Sequence, residues 1–125
     1  MSLDPNSEPL LDTEQIELLR EAMGHDELRE MFAELPVHAR QSQDAIAAAL
    51  AADDLDDARR AAHVLKGFAS SFGAARLAAI GRLIELDTPS VVAVRQYMPA
   101  LAEAIEATSM MLGRLISDQP PLFPR

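Results

Sequence analysis

Through most of the chain apolar residues recur at intervals of three and four, the spacing of a helix with one buried stripe, and no alternating run argues for a strand. Five helical segments follow. A short first helix spans Thr13 to Met23 and stops at Gly24. Asp26 is expected to cap a long second helix reaching Ala52, whose stripe is Leu28, Phe32, Leu35, Ala39, Ile46 and Leu50. Pro36 interrupts this stripe and should bend the helix or remove one backbone bond without breaking it. After a turn at Asp53-Asp54, a third helix buries Leu55, Ala58, Ala62, Leu65, Ala69 and Phe72 and ends near Gly73. A fourth uses Leu77, Ile80, Gly81 and Ile84, with Gly81 permitting a close helix contact, and closes at Asp87-Thr88-Pro89. The fifth carries a narrow seam of Val94, Met98, Leu101, Ile105, Thr108, Leu112 and Leu115. Short connections force antiparallel neighbours, so the expected fold is all-α: a four-helix bundle capped by the short first helix. Residues 1–12 and the Pro-rich residues 118–125 are expected to be tails around one domain at 13–117.

Composition narrows the function classes. The 125 residues include no Cys, which removes thiolate metal sites and cysteine nucleophiles and fits a reducing, cytoplasmic setting. Neither a signal peptide nor a membrane-spanning run is apparent. Lys plus Arg number 11 against 20 Asp plus Glu, and the resulting net charge of −9 repels nucleic acids and anionic membrane surfaces. Phosphate chemistry would have to be local. An ATP-dependent kinase or phosphatase is disfavoured for want of room for a nucleotide domain and of a Gly-rich phosphate loop.

The third helix carries the informative polar residues. At about 100° per residue, His63 points roughly 130° away from the buried stripe and should be exposed. Arg59, Arg60, Lys66, Gly67 and Ser70 fall on the neighbouring surface, a cationic strip on an acidic protein. Lys66 is the single lysine in the sequence, a mobile point charge one turn from His63. Gly67 within a helix costs about 1 kcal/mol relative to Ala, which on an open face asks for something that must approach the backbone closely.

Ala62-His63-Val64-Leu65-Lys66-Gly67, followed by Gly73-Ala74, Leu77 and Leu83-Ile84-Glu85, closely resembles the signature of histidine-containing phosphotransfer (HPt) domains, with looser similarity from Thr13 to Ile116. The resemblance implies that His63 carries a phosphoryl group, that Lys66 steadies it, and that Gly67, with Arg59, Arg60 and Ser70 around it, serves the docking of a receiver domain. The implied partners are receivers of response regulators or of hybrid histidine kinases, acting on a monomeric carrier. The receiver would bring Mg²⁺ and its own Asp, so no cofactor belongs to this chain. Ile80-Gly81 departs from the polar residue or Cys found in many members, and the side chain that orients the second ring nitrogen of His63 is not identifiable from sequence. A helical adaptor that binds receivers or kinases without accepting phosphate is the alternative reading, which the intact His63 disfavours.

Two other histidines are decoys. His25-Asp26-Glu27-Leu28-Arg29 faintly resembles the phosphoacceptor box of sensor kinases, but Thr-Pro is missing and a helix start explains it. His38, after Pro36, is expected to be solvated, and the three histidines lack metal-ligand spacing. Asp53-Asp54 and Asp56-Asp57 read as turn and first-turn charges favoured by the helix dipole.

Overall fold

The computed structural model describes residues 7–118, and the expected tail residues 1–6 and 119–125 lie outside them. Five helices follow in chain order: α1 (Thr13–Ala22), α2 (His25–Ala51), α3 (Leu55–Ser71), α4 (Ala75–Leu86) and α5 (Val91–Asp118). No strand occurs among the described residues, so the all-α expectation holds.

Local chemistry explains most boundaries. Asp12 caps α1 by accepting from the Gln15 amide, and Asp54 caps α3 by accepting from the Asp57 amide at 3.0 Å. The start of α2 differs from expectation. Gly24 occupies the N-cap, without a side-chain bond, and Asp26 lies in the first turn with Glu27. There the two carboxylates favour the helix through its dipole, so an acid near the start carries less positional information than a cap would. Pro36 leaves α2 continuous, and Pro99 is likewise carried inside α5. The fifth helix begins one residue past Pro89-Ser90, where the Ser90 hydroxyl accepts from the Ala93 amide at 3.1 Å. Between α3 and α4, Gly73 adopts φ +78°, the left-handed geometry that lets the chain reverse within residues 72–74.

The helices pack in a ring, α2 against α3, α3 against α4, α4 against α5, and α5 back against α2. Their register is antiparallel: Arg40 of α2 meets Glu106 of α5 at 2.9 Å, and Arg95 of α5 donates to the Leu50 carbonyl of α2 at 3.0 Å. The predicted stripes supply the core. Leu35, Ile46, Leu65, Leu77, Ile80, Ile84, Leu101 and Leu112 are fully buried, while Leu55, Phe72, Met98 and Leu115 pack at its margin. The short helix α1 closes the end where α3 turns into α4. Ile16 is buried against Gly73, whose missing Cβ would stand 2.9 Å from Ile16 Cγ1, and Gln15 donates to the Ser71 carbonyl. Residues 8–12, expected as tail, are bonded to this same corner: the Asp12 amide donates to Gly73, and Arg76 donates to the Glu8 carbonyl.

Gly81 permits a close helix approach. A Cβ there would lie 3.0 Å from the Ala62 carbonyl oxygen and 3.1 Å from the Lys66 nitrogen. Only a residue without a side chain lets α4 come this near α3, and that proximity brings the polar residues of the two helices together.

Candidate functional site

His63 stands at mid-length of α3 with its side chain 66% exposed, as its angle from the buried stripe predicts. Its Nδ1 lies 2.5 Å from Oε2 of Glu85, near the end of α4. The other carboxylate oxygen of Glu85, Oε1, accepts from Lys66 Nζ at 2.7 Å. One carboxylate thus joins the histidine and the lysine, using one oxygen for each. Its side chain is only 16% exposed, against 66% for His63.

The electrostatics follow from this placement. Lys66 chiefly, and then His63, hold the Glu85 carboxyl below the usual carboxylate range, although partial desolvation pushes the other way. Glu85 is therefore charged at neutral pH and can only accept hydrogen bonds. The proton between it and the imidazole belongs to Nδ1, which leaves the lone pair on Nε2 as the free nucleophilic position of His63. Glu85 is the orienting side chain that the sequence left unidentified. Its signal lay in the spacing Leu83-Ile84-Glu85, but the pairing needs the relative register of α3 and α4.

The comparison with family models matches the Hpt domain over residues 26–117. The chain belongs to the Hpt domain family. Comparison with curated proteins and with solved structures gives no significant match. Hpt domains are histidine phosphotransfer carriers of phosphorelays, which receive and deliver phosphoryl groups in partnership with receiver domains and histidine kinases and are not enzymes in the ordinary sense. No helix among the described residues of this Hpt domain is long and apolar enough to cross a membrane.

Other expected site residues fall less uniformly. Gly67 is exposed, and a Cβ built on it meets nothing within 4 Å, so no neighbour within the chain requires a glycine there. Ser70 is exposed on the α4 side of α3. Arg60 is exposed but paired with Asp57 at 2.9 Å, one turn earlier. Arg59 departs from the exposed placement expected of it. Arg59 is half-buried and its guanidinium donates to the Thr88 carbonyl in the connection between α4 and α5. A wheel drawn on α3 alone does not see that carbonyl, which captures the arginine. Lys66 is likewise half-buried on Glu85 rather than free on the surface. The open cationic strip expected from sequence is thus largely compensated by partners within the chain.

His38 is exposed, and its ring meets Phe68 at a centroid distance of 5.6 Å across the α2/α3 seam. His25 is the first residue of α2. Among the described residues no group of three or more His, Asp or Glu side chains could hold a metal ion. The one carboxylate beside His63 is already committed to Lys66 and the imidazole, which makes it a poor Mg²⁺ ligand.

Proposed function

We propose that His63 Nε2 accepts a phosphoryl group from the aspartyl phosphate of a receiver domain, or from a kinase, and passes it to a receiver Asp of a response regulator. The observation that carries this reading is the Nδ1 contact with Glu85 on an otherwise exposed imidazole. As Nε2 attacks, the N–P bond forms while the P–O bond to the donor carboxylate breaks, and that carboxylate departs with the electron pair. Nε2 has no proton to lose, so no general base is needed. Positive charge spreads onto the ring, and the Glu85 carboxylate at Nδ1 faces it, the same service a buried acid renders a catalytic imidazolium. The reverse transfer returns the lone pair to Nε2. Positioning and charge neutralisation govern such loose transition states.

Lys66 in this mechanism serves two anions. It keeps Glu85 ionised in the resting carrier, and a phosphoryl group on His63, which adds about −1.5 to −2 charge, gives the ammonium a second partner nearby. Gly67, one turn beyond His63, leaves the α3 surface low where a receiver must approach within a few ångströms. Mg²⁺ comes with the receiver, and the relay operates in the cytoplasm, where receivers and a cysteine-free carrier meet.

The test is transfer of label from phosphorylated receiver domains of the same organism. Label on the carrier should be acid-labile, as a phosphoramidate is. It should vanish in His63→Gln and persist in His25→Gln and His38→Gln. Full labelling of His63→Gln would remove His63 from the mechanism, and a wild-type carrier that binds receivers but takes no label would favour the adaptor reading.

A further inference from the structure

Two grooves flank His63, and they differ in charge. The groove between α2 and α3 is lined by His38, Gln41, Ala45, Ala61, Val64 and Phe68 and contains no Asp, Glu, Lys or Arg. The larger groove between α3 and α4, about 500 Å³, is lined by Lys66, Arg82, Leu83 and Leu86, with Glu8 and Asp87 as its other charged residues. His63 and Gly67 lie between the two on the outward face of α3. A domain that covers His63 therefore meets neutral surface on one side and a charged groove on the other.

Within that groove the two cations are in different states. Lys66 is bonded to Glu85, and the remaining cations of α3 and α4 also have partners: Arg59 on Thr88, Arg60 on Asp57, and Arg76 on the Glu8 carbonyl. Arg82 is exposed and makes no ion pair or hydrogen bond among the described residues. Beside it Leu86 is 59% exposed, an apolar surface next to an unpaired guanidinium.

We propose that Arg82 is a specificity-determining residue of the relay, one that binds an Asp or Glu side chain of the docked receiver while an apolar neighbour on that receiver covers Leu86. The inference rests on the reading of His63 as the phosphoryl carrier. A chain of net charge −9 repels an acidic partner in most orientations. An unpaired arginine offers an acidic partner one cation on that flank of His63 that is not already bonded among the described residues, and its planar fork recognises a carboxylate with two parallel bonds. A receiver lacking a carboxylate at that place leaves Arg82 covered and unpaired, which costs affinity and separates right partners from wrong ones.

The experiment measures phosphotransfer from a panel of phosphorylated receiver domains to wild type, Arg82→Ala and Arg82→Glu over a range of carrier concentrations. At low salt the second-order rate with the best receiver should fall at least about tenfold in Arg82→Glu and less in Arg82→Ala. The gap should narrow at about 0.5 M salt, where charges are screened beyond a few ångströms. The rate at saturating carrier and the melting temperature should stay at wild-type values, and reversing the contacted receiver acid to Arg should restore transfer to Arg82→Glu. Equal rates for wild type and Arg82→Glu with every receiver that phosphorylates wild type overturn the proposal. So does a loss that salt leaves unchanged, because it would report shape. A wild-type carrier that takes phosphate from no receiver overturns the carrier reading and this inference together.

Discussion

The α3/α4 seam and the α2/α5 seam join antiparallel helices in the same bundle by different means. In the first, Gly81 lets the backbones of α4 and α3 meet, with the Ala62 carbonyl and the Lys66 amide directly opposite the missing Cβ. In the second, long side chains span the distance, Arg40 to Glu106 and Arg95 to the Leu50 carbonyl. His63 and the Glu85 carboxylate it contacts sit across the first. A hydrogen bond between short side chains on two helices needs a fixed and small separation, whereas an arginine tolerates slack. The close seam thus holds the His63–Glu85 contact, and the other is spanned by longer side chains.

The sharpest way to break this contrast is to force the close seam open. Gly81→Val places branched carbon against two backbone atoms that cannot rotate away, so stability should fall by about 2 kcal/mol or more, seen as a melting temperature lower by roughly 10 °C. The same change should separate Glu85 from His63 and slow phosphotransfer in whatever protein remains folded. Wild-type stability in Gly81→Val would mean that the seam is as yielding as its counterpart.

Glu85→Gln tests the chemistry of the seam with its packing kept. The amide retains the shape but loses the charge that fixes the proton on Nδ1 and faces the ring during attack. Transfer should drop about tenfold, equivalent to about 1.4 kcal/mol, with circular dichroism unchanged. The pH dependence has a definite sign. Because the Glu85 carboxyl is held below its ordinary range when folded, the stability it contributes is complete above that range. That contribution disappears as pH falls through the lowered value. The difference in melting temperature between wild type and Glu85→Gln should therefore be largest near neutrality and close in acid, as denaturation curves at several pH values would reveal. A difference that grew in acid would reverse the assignment.

Smaller effects sharpen the comparison. Gly67→Ala should stabilise the protein by about 0.4 to 1 kcal/mol, because its Cβ enters open space where that of Gly81 would meet backbone. Gly67→Gln should melt no lower than wild type and yet exchange phosphate with its receiver at least about tenfold more weakly. Arg40→Ala, which removes an exposed ion pair of the α2/α5 seam, should cost about 0.2 to 1 kcal/mol and leave the transfer rate unaltered.

The sequence was most informative where a residue's role depends on its own helix. The stripe from Ala58 to Ala69, the exposure of His63 and the open space around Gly67 all follow from one periodicity, and the structure agrees on each. Gly81 was legible too, as a glycine in a buried stripe invites a close neighbour. Legibility ends where the partner belongs to another element. Arg59 is drawn to the Thr88 carbonyl, and Lys66 to Glu85, by registers that no single-helix wheel contains. The cap of α2 was misplaced because Gly24 has no side chain to announce itself, whereas Asp26 resembles a cap without acting as one.

The turn at residues 72–74 bears on how this molecule comes into being. Nineteen positions separate Lys66 from Glu85, and both lie on the single hairpin that the left-handed Gly73 closes. Joining such near neighbours along the chain costs little loop-closure entropy, whereas pairing α2 with α5 must enclose the whole intervening hairpin. Contacts of low sequence separation also favour rapid folding. The cluster of His63, Lys66 and Glu85 is thus encoded within one local hairpin, and bringing it together requires only a short stretch of chain to close.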